Sequence, residues 1–281
     1  MLYRSPRLAL LALFALAGCG DNITQPPDRD PAADPDPQPL ECVPNLDQQI
    51  DRSELKPAIG TPVRYVISPS DQVRTVDLAG TPGEDGELVW DFATDYADDQ
   101  ALTVTPASLE GKWYASNFPD GAFVTPFDRE DNLETVGFVA DSGFQLLGIA
   151  SREQDPAEGR TLLVYDPPIT LLQFPAEVGQ SFVSSGEIVN GLVRGLPYAG
   201  RDTYEVNIDA IGQIDLPQLT FEEVLRVRTK VTVEPAVGAV AVRYQTSFFS
   251  ECFAEVARAT SKDGESSPDF TEAAELRRLG Y

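Results

Sequence analysis

The sequence predicts an all-β fold, built as an antiparallel β-sandwich or a partly closed barrel. Three observations predict this class. Short runs of β-branched and aromatic residues recur along the chain, and Gly, Pro and Asp turns separate them. Residues 225–231 (LRVRTKV) alternate strictly between apolar and polar side chains, which is typical of a strand with one buried and one wet face. No helical segments lie between the strand signals, as a parallel sheet would need.

The strand signals are spread over the whole of residues 42–281, which we therefore expect to form a single β-rich domain. They cover residues 63–67, 73–78, 87–92, 102–105, 135–139, 144–151, 161–165, 169–174, 181–189, 203–211, 223–233, 237–249 and 252–260. Pro167-Pro168 is expected to break the chain between two strands. Residues 271–279 (TEAAELRRL) have a helical composition but could equally add an edge strand.

The N-terminus follows the secretory pattern. Arginines precede an apolar run at residues 8–17, which is too short for a permanent membrane span. The run ends in Leu16-Ala17-Gly18-Cys19, which resembles the bacterial lipobox cut by the lipoprotein signal peptidase. The resemblance implies that residues 1–18 are a lipoprotein signal peptide. It also implies that acyl chains attach to the thiol and the new amino group of Cys19, which would anchor the protein to a membrane.

Residues 19–41 are expected to be a lipid anchor followed by a disordered tether. Pro alternates with Asp there and large apolar side chains are scarce, so the segment cannot bury a core. Such a composition favours a semi-extended spacer. We expect a lipid-anchored monomer in the cell envelope, on the outer membrane, facing the periplasm or the cell surface.

Composition excludes several classes of function. The net charge of −24 argues against nucleic acid as a partner, because phosphate binding needs clustered Lys and Arg. The chain has no histidine, which removes Ser-His-Asp and Cys-His nucleophiles and imidazole-based zinc sites. The chain is therefore expected not to be an enzyme, with no catalytic residue, metal or cofactor.

The three cysteines fit an oxidising compartment. If Cys19 is acylated, Cys42 and Cys252 remain as an even pair, and we expect them to form a disulfide. That bond would join the first residues of the domain to one of its last strands.

Four stretches together resemble uncharacterised secreted proteins and lipoproteins of Bacteroidetes and myxobacteria. They are residues 86–92 (GELVWDF), residues 171–175 (LLQFP) with Gly179, residues 212–228 (GQIDLPQLTFEEVLRVR) and residues 244–258 (YQTSFFSECFAEVAR). In the last stretch Ala254 replaces the usual Gly. The resemblance implies a β-rich extracytoplasmic domain and brings no catalytic residue with it.

The sequence favours a non-enzymatic binding or structural module, with a protein or polysaccharide of the envelope as its partner. Residues 112–127 are rich in aromatics, and Trp113, Tyr114 and Phe118 are candidates for contact with a ligand. Burial between hairpins is the commoner position for such side chains and would remove them from this role.

Two alternative functions remain open. One is a carrier of lipid or another hydrophobic ligand, with residues 162–165 and 169–174 lining a cavity on a curved sheet. The other is a polysaccharide hydrolase, which needs two carboxylates roughly 5–10 Å apart in a cleft. The acidic stretches at residues 83–86 and 128–132 could hold Ca²⁺ or be solvated turns. The lining of the largest pocket would separate these functions.

Overall fold

The computed structural model describes residues 42–83, 86–127 and 132–280, and the predicted signal peptide and tether lie outside them. The fold class is confirmed, because the described chain is built of strands, with short 3-10 helices at Arg52–Glu54 and Ala115–Asn117. The strands are β1 (Val63–Ile67), β2 (Arg74–Thr75), β3 (Thr81–Pro82), β4 (Leu88–Asp91), β5 (Gln100–Val104), β6 (Ala107–Ser108), β7 (Phe123–Pro126), β8 (Leu133–Ala140), β9 (Gly143–Ser151), β10 (Leu162–Gln173), β11 (Ser181–Val193), β12 (Leu196–Asp215), β13 (Thr220–Pro235), β14 (Ala241–Ser250), β15 (Ala254–Thr260), β16 (Glu272–Ala273) and β17 (Glu275–Leu279).

One 15-stranded sheet contains nearly all of these strands, in the order β5-β1-β17-β15-β14-β13-β12-β11-β10-β9-β8-β7-β6. From β6 to β15 each strand pairs with its neighbour in sequence, so this part is a meander of antiparallel hairpins. The expectation of a purely antiparallel sheet needs one correction. Strand β4 runs parallel to the last residues of β12, where Leu88 pairs with Gly212.

The two edges of the sheet come close together without pairing. Strands β5 and β6 stand at opposite ends of the strand order, yet only Thr105 and Pro106 separate them in sequence. The Cα atoms at the end of β5 and the start of β6 are therefore three peptide steps apart, which is less than about 12 Å even when fully extended. The sheet is therefore curled and open.

The C-terminal segment forms strands and not a helix. Strand β17 lies between β1 and β15, so it is an inner strand and not the edge strand that was the alternative expectation. Pairing on both sides outweighs the helical composition of a short segment, because helix propensity is a weak preference that tertiary contacts override.

Pro167 and Pro168 do not break the chain as expected. They lie inside β10, where the pairing with β9 shifts in register between Val164 and Ile169. The missing N–H groups fall at this irregularity, which is where prolines are tolerated in sheets.

The alternating segment of β13 has both faces covered over part of its length, which corrects the prediction of one wet face. Val224, Leu225, Arg226 and Val227 are all buried. Arg226 Nε lies 2.8 Å from Asp209 Oδ1, and its Nη1 donates to the carbonyl oxygen of Leu78 at 2.5 Å. A charge is therefore held at this position because neighbouring loops cover it and satisfy its donors.

A second buried arginine joins the loop before β5 to the C-terminal strand. Arg278 is 1% exposed, and its Nη1 donates to the carbonyl oxygens of Phe92 and Thr94. Its Nη2 pairs with Asp99, whose other carboxylate oxygen lies 2.8 Å from Arg74 Nη2. One buried carboxylate therefore serves two arginines.

The N-terminal entry is tied to the end of β14. Cys42 and Cys252 form the predicted disulfide, across a sequence separation of 210 residues. The backbone N–H groups of Asn45 and Leu46 donate to Glu251 Oε2 at 2.7 and 2.9 Å. Ile50 is buried and pairs with Ala176 as an isolated bridge.

The β14–β15 turn adopts left-handed backbone conformations. Cys252 has φ 65° and Ala254 has φ 57°, in the region that favours glycine. Glycine at position 254 would suit this backbone better than the alanine of this chain.

Candidate functional site

The predicted aromatic site turns out to be part of the core. Tyr114 has no exposed surface and packs with Val124, Val136 and Leu147. Its proposed contact with a ligand is therefore corrected, because a fully buried ring cannot reach one in this conformation.

Trp113 and Phe118 are partly buried and pack against the same cluster. The indole N–H of Trp113 donates to the carbonyl oxygen of Ser151 at 2.9 Å, and the Arg160 guanidinium lies 4.9 Å from the ring centroid. Both aromatic residues thus have structural partners already.

Beside these aromatics, Glu134 is a buried carboxylate with two donors. It accepts hydrogen bonds from the Tyr114 hydroxyl and from Lys112 Nζ, the latter at 2.6 Å. Burial, and then the hydrogen bond to Glu134, raise the pKa of Tyr114 well above its usual range. The phenol therefore stays protonated and serves as a donor.

The acidic stretches considered for Ca²⁺ lie partly outside the described residues, since these omit 84–85 and 128–131. Among the residues that are described, no group of three or more His, Cys, Asp or Glu side chains is placed to hold a metal ion. Nothing helical in that part of the chain has the length and apolar character that crossing a bilayer requires.

A concavity of about 460 Å³ lies where two hairpins end side by side, and we name it the distal concavity. One hairpin joins β11 to β12, and the other joins β13 to β14. Besides the polar Asn190 and Tyr198 and the small Gly191, its lining is apolar. The apolar residues are Val189, Leu192, Pro197, Ala199, Ala236 and Val237.

Local sequence fixes both hairpin ends. The β11–β12 turn is Arg194-Gly195, and both residues have positive φ, which matches the tight type I′ turn that suits twisted strands. The second hairpin end is held against the first by the N–H of Ala236, which donates to the carbonyl oxygen of Ala199 at 2.8 Å. Two chain segments distant in sequence therefore form one surface.

Four aliphatic side chains stand exposed on and around this surface, and we call them the distal rim. They are Val189, Leu196, Val237 and Val240, with exposed fractions of 68%, 70%, 93% and 57%. Single exposed aliphatics are ordinary, and these four stand out because they share the ends of two adjacent hairpins, which makes this end the candidate contact surface.

The distal rim lies at the end of β14 opposite to the disulfide. Val240 immediately precedes β14, and Cys252 follows closely after its end. A strand of this length spans about 30 Å at roughly 3.3 Å per residue. The chain therefore enters the domain at one end and presents the rim at the other.

The charge of the two hairpin ends differs from that of the whole chain. Residues 189–201 and 235–250 contain no Asp or Glu, whereas the chain as a whole has 45 acidic against 21 basic residues. The charged residues of these segments are Arg194, Arg201 and Arg243. The exposed Glu187 and Glu234 border these segments, and Glu187 pairs with Arg201, so this apolar surface carries little net charge.

A polar cluster lies beside the concavity, on the face of β12 that carries Tyr198. Asp202 is 7% exposed, and its Oδ2 accepts a hydrogen bond of 2.7 Å from the Tyr165 hydroxyl. Its Oδ1 is buried without a hydrogen-bond partner in the structure. A Cβ atom at Gly200 would stand 2.9 Å from the Tyr198 hydroxyl, so glycine leaves room for this ring over β12.

Burial shifts the titration of this cluster. It raises the pKa of Asp202, although the hydrogen bond from Tyr165 and the charge of Arg243 oppose the shift. Burial and the Asp202 charge raise the pKa of Tyr204 to about 12. Of the described side chains that line the concavity or form this cluster, Asp202 alone carries a carboxylate, whereas glycoside hydrolysis needs two.

Replacing Asp202 with asparagine is expected to change how stability depends on pH. Below the unfolded-state pKa of about 3.9 the wild-type carboxyl is neutral in both states. As pH rises towards the higher folded-state pKa, only the unfolded state ionises freely, so wild type loses stability relative to Asp202→Asn. The difference should grow by about 1.4 kcal/mol for each unit of the shift.

Urea unfolding of both proteins at a series of pH values measures this difference in the free energy of unfolding. Asp166→Asn removes the same charge from an exposed position and serves as the matched control. A difference between wild type and Asp202→Asn that stays constant with pH would contradict the prediction.

Neither the rim nor the Asp202 cluster was predicted from the sequence. The sequence signal that accompanies the rim is the absence of acidic residues from 189–201 and 235–250 in so acidic a chain. No family model, curated protein or solved structure matches this chain.

Proposed function

We propose that the protein is a lipid-anchored, non-enzymatic binding module of the cell envelope, and that its binding end is the distal concavity with the distal rim. The observation that carries the proposal is the position of this surface, at the opposite end of β14 from Cys252. A module tethered through Cys42 would hold its apolar end away from the attachment point.

The shape of the concavity supports binding over catalysis. It is open between hairpin ends, its walls are mainly small aliphatic side chains, and one buried carboxyl lies beside it. The alternative of a lipid carrier calls for an apolar cavity inside the sheet, whereas this concavity lies at the ends of strands. A surface that grips an exposed apolar group fits the geometry better.

An uncharged apolar dye that fluoresces on leaving water tests the binding end. We expect the chain Glu41–Tyr281, which forms a compact unit of its own, to bind such a dye at the concavity. Val237→Ser should weaken the binding about five- to tenfold, because it removes an apolar wall from the dye.

The matched control is Val183→Ser, because Val183 is similarly exposed at 66% but is absent from the lining of the concavity. An unchanged affinity in Val237→Ser, or an equal loss in Val183→Ser, would refute this location of the site.

The anchor is tested separately in a bacterial host. Mass spectrometry of the mature protein should find acyl chains on Cys19. The Cys19→Ala variant should yield no acylated protein. A mature N-terminus without acyl groups would refute the lipid anchor. It would leave the proposed binding end untouched, which the dye experiment tests on its own.

A further inference from the structure

We propose that the hollow on the concave side of the curled sheet is a second binding site, and that it takes a neutral saccharide. Six side chains form its polar wall, which we call the inner polar face. They are Tyr204, Arg243, Gln245, Ser247, Arg258 and Arg277. None of them lines the distal concavity, so the inference goes beyond the proposed function.

Strand register places these six side chains on one face of the sheet. Residues that are paired across neighbouring strands, or that lie two positions apart along one strand, point to the same side. Arg243, Gln245 and Ser247 alternate along β14 in this way. The pairs that connect them to the other strands are Tyr204 with Val231, Val231 with Arg243, Ser247 with Arg258, and Arg258 with Arg277.

The entry segment shows that this face is the concave one. Ile50 packs in one buried cluster with side chains from β10, β12, β13 and β14, so the sheet wraps around it. Val206 belongs to that cluster and lies two residues from Tyr204 along β12. Phe249 also belongs to it and lies two residues from Ser247 along β14. The entry segment therefore fills the hollow near the disulfide, and the inner polar face continues from there along the strands.

The polar character of this concave face is the first sign of a site. The inside of a curled sheet is ordinarily filled by apolar side chains, unless it holds a ligand. On β14, β15 and β17 the apolar side chains point to the convex side instead. Phe248, Ala257 and Leu276 belong there to the buried core around Trp90. These strands thus keep their core outside the curl and present polar groups within it.

The inner polar face is deep but still accessible to water. Burial opposes the charge of Arg258, although Glu255 and Glu275 more than compensate and raise its pKa. The Arg258 side chain nevertheless keeps 24% of its surface accessible, and those of Glu255 and Glu275 keep 20% and 29%. Side chains that protein surrounds and water still reaches line a hollow with room for a polar ligand.

The balance of charge in the hollow favours a neutral ligand. The three arginines of the inner polar face share it with three carboxylates, which are Asp202, Glu255 and Glu275. Arg258 lies 3.6 Å from Glu255 and 3.4 Å from Glu275. Arg243 also lies 3.9 Å from the exposed Asp263. The arginines therefore leave no net positive charge to attract an anion, and a cation would have to displace one of them from its carboxylate.

The hydrogen-bonding groups of the hollow suit the hydroxyl groups of a saccharide. Within the described part of the chain, neither the Tyr204 hydroxyl nor the Gln245 amide group has a hydrogen-bond partner. A phenol and an amide each offer a donor and an acceptor, as a sugar hydroxyl does. The Ser247 hydroxyl donates to Glu255 Oε2 at 2.8 Å and so holds this carboxylate in place as a further acceptor.

Titration calorimetry of the chain Glu41–Tyr281 tests the proposal. The probes are cellohexaose, maltohexaose and N-acetylated chitohexaose, and we expect at least one of them to bind. Tyr204→Phe should weaken that binding about fivefold, because the ring stays while a hydroxyl that bonds the ligand is lost. Gln245→Ala should weaken it by a similar factor, and it keeps the test valid if Tyr204→Phe does not fold.

Two matched variants remove the same groups from other surfaces. Tyr244→Phe removes a hydroxyl from the convex side of β14, and Gln173→Ala removes an exposed amide from β10. Both should bind the oligosaccharide as wild type does. Val237→Ser, which changes the distal concavity, should also leave this binding unchanged.

Several results would overturn the inference. These are no binding of any of the three oligosaccharides, an equal loss in Tyr204→Phe and Tyr244→Phe, or unchanged binding in both variants of the inner polar face. Tighter binding of the acidic hexagalacturonate would refute the neutral class of ligand. Dye binding without saccharide binding would refute this inference alone. Saccharide binding without dye binding would refute only the proposed binding end.

Discussion

Replacing Asp99 with alanine is expected to lower the free energy of unfolding by about 3–5 kcal/mol, because two buried cations lose their partner at once. Asp99 pairs with Arg74 and with Arg278, and the side chains of all three are less than a tenth exposed. Two guanidinium groups would remain in the interior with fewer acceptors. Urea unfolding followed by tryptophan fluorescence measures the loss, since Trp90 is fully buried in the neighbouring core.

The neighbouring residue provides the control. Asp98 also pairs with Arg74, at 2.7 Å, but its side chain is half exposed. Water and counterions can replace an exposed carboxylate, so Asp98→Ala should cost far less than Asp99→Ala. Equal losses in the two variants would show that burial does not decide the strength of these pairs.

The strand content and the disulfide could be predicted from the sequence because both depend on local or countable features. Strand β1 falls on the predicted residues 63–67, and most of the long strands contain their predicted segments. The pairing of Cys42 with Cys252 followed from having two cysteines besides Cys19. Neither inference needed to know which strands are neighbours.

The buried charges could not be predicted, because they depend on contacts between segments far apart in sequence. Arg226 looks like the wet half of an alternating strand, but the loop that carries Leu78 covers it and accepts its hydrogen bond. Arg278 lies in a segment of helical composition, and its acceptors belong to residues nearly two hundred positions earlier. Alternation reports one strand, whereas burial is decided by what covers it.

The candidate site was missed for a related reason. Aromatic residues were the predicted ligand contacts, but aromatics such as Tyr114 fill a core. The distal rim is made of valines and a leucine, which read as ordinary core residues until hairpin ends are placed beside each other. In the sequence, the segments that carry the rim differ from an ordinary strand pattern only in that they lack acidic residues.

Replacing Cys42 and Cys252 together with serine is expected to lower the free energy of unfolding by about 2–5 kcal/mol. The bond closes a loop across 210 residues. Breaking it therefore raises the conformational entropy of the unfolded chain over nearly the whole domain. The folded state also loses order at its entry, where the N–H groups of Asn45 and Leu46 bind Glu251 beside the bond. Wild-type protein unfolded in urea with a reducing agent should therefore match the double variant.

Amide hydrogen exchange separates the two contributions of this bond. If the bond acts only on the unfolded chain, protection of Leu46 and Ile50 should fall no more than protection in the β12–β13 core. We expect a larger local fall at Leu46, which is exposed and is held near the end of β14 by the disulfide and by its hydrogen bond to Glu251, than at Ile50, which is buried and pairs with Ala176. An unchanged urea midpoint on reduction would contradict a stabilising role for the bond altogether. Dye binding at the distal rim should survive reduction, since the rim lies at the end of β14 opposite to the entry segment that reduction releases.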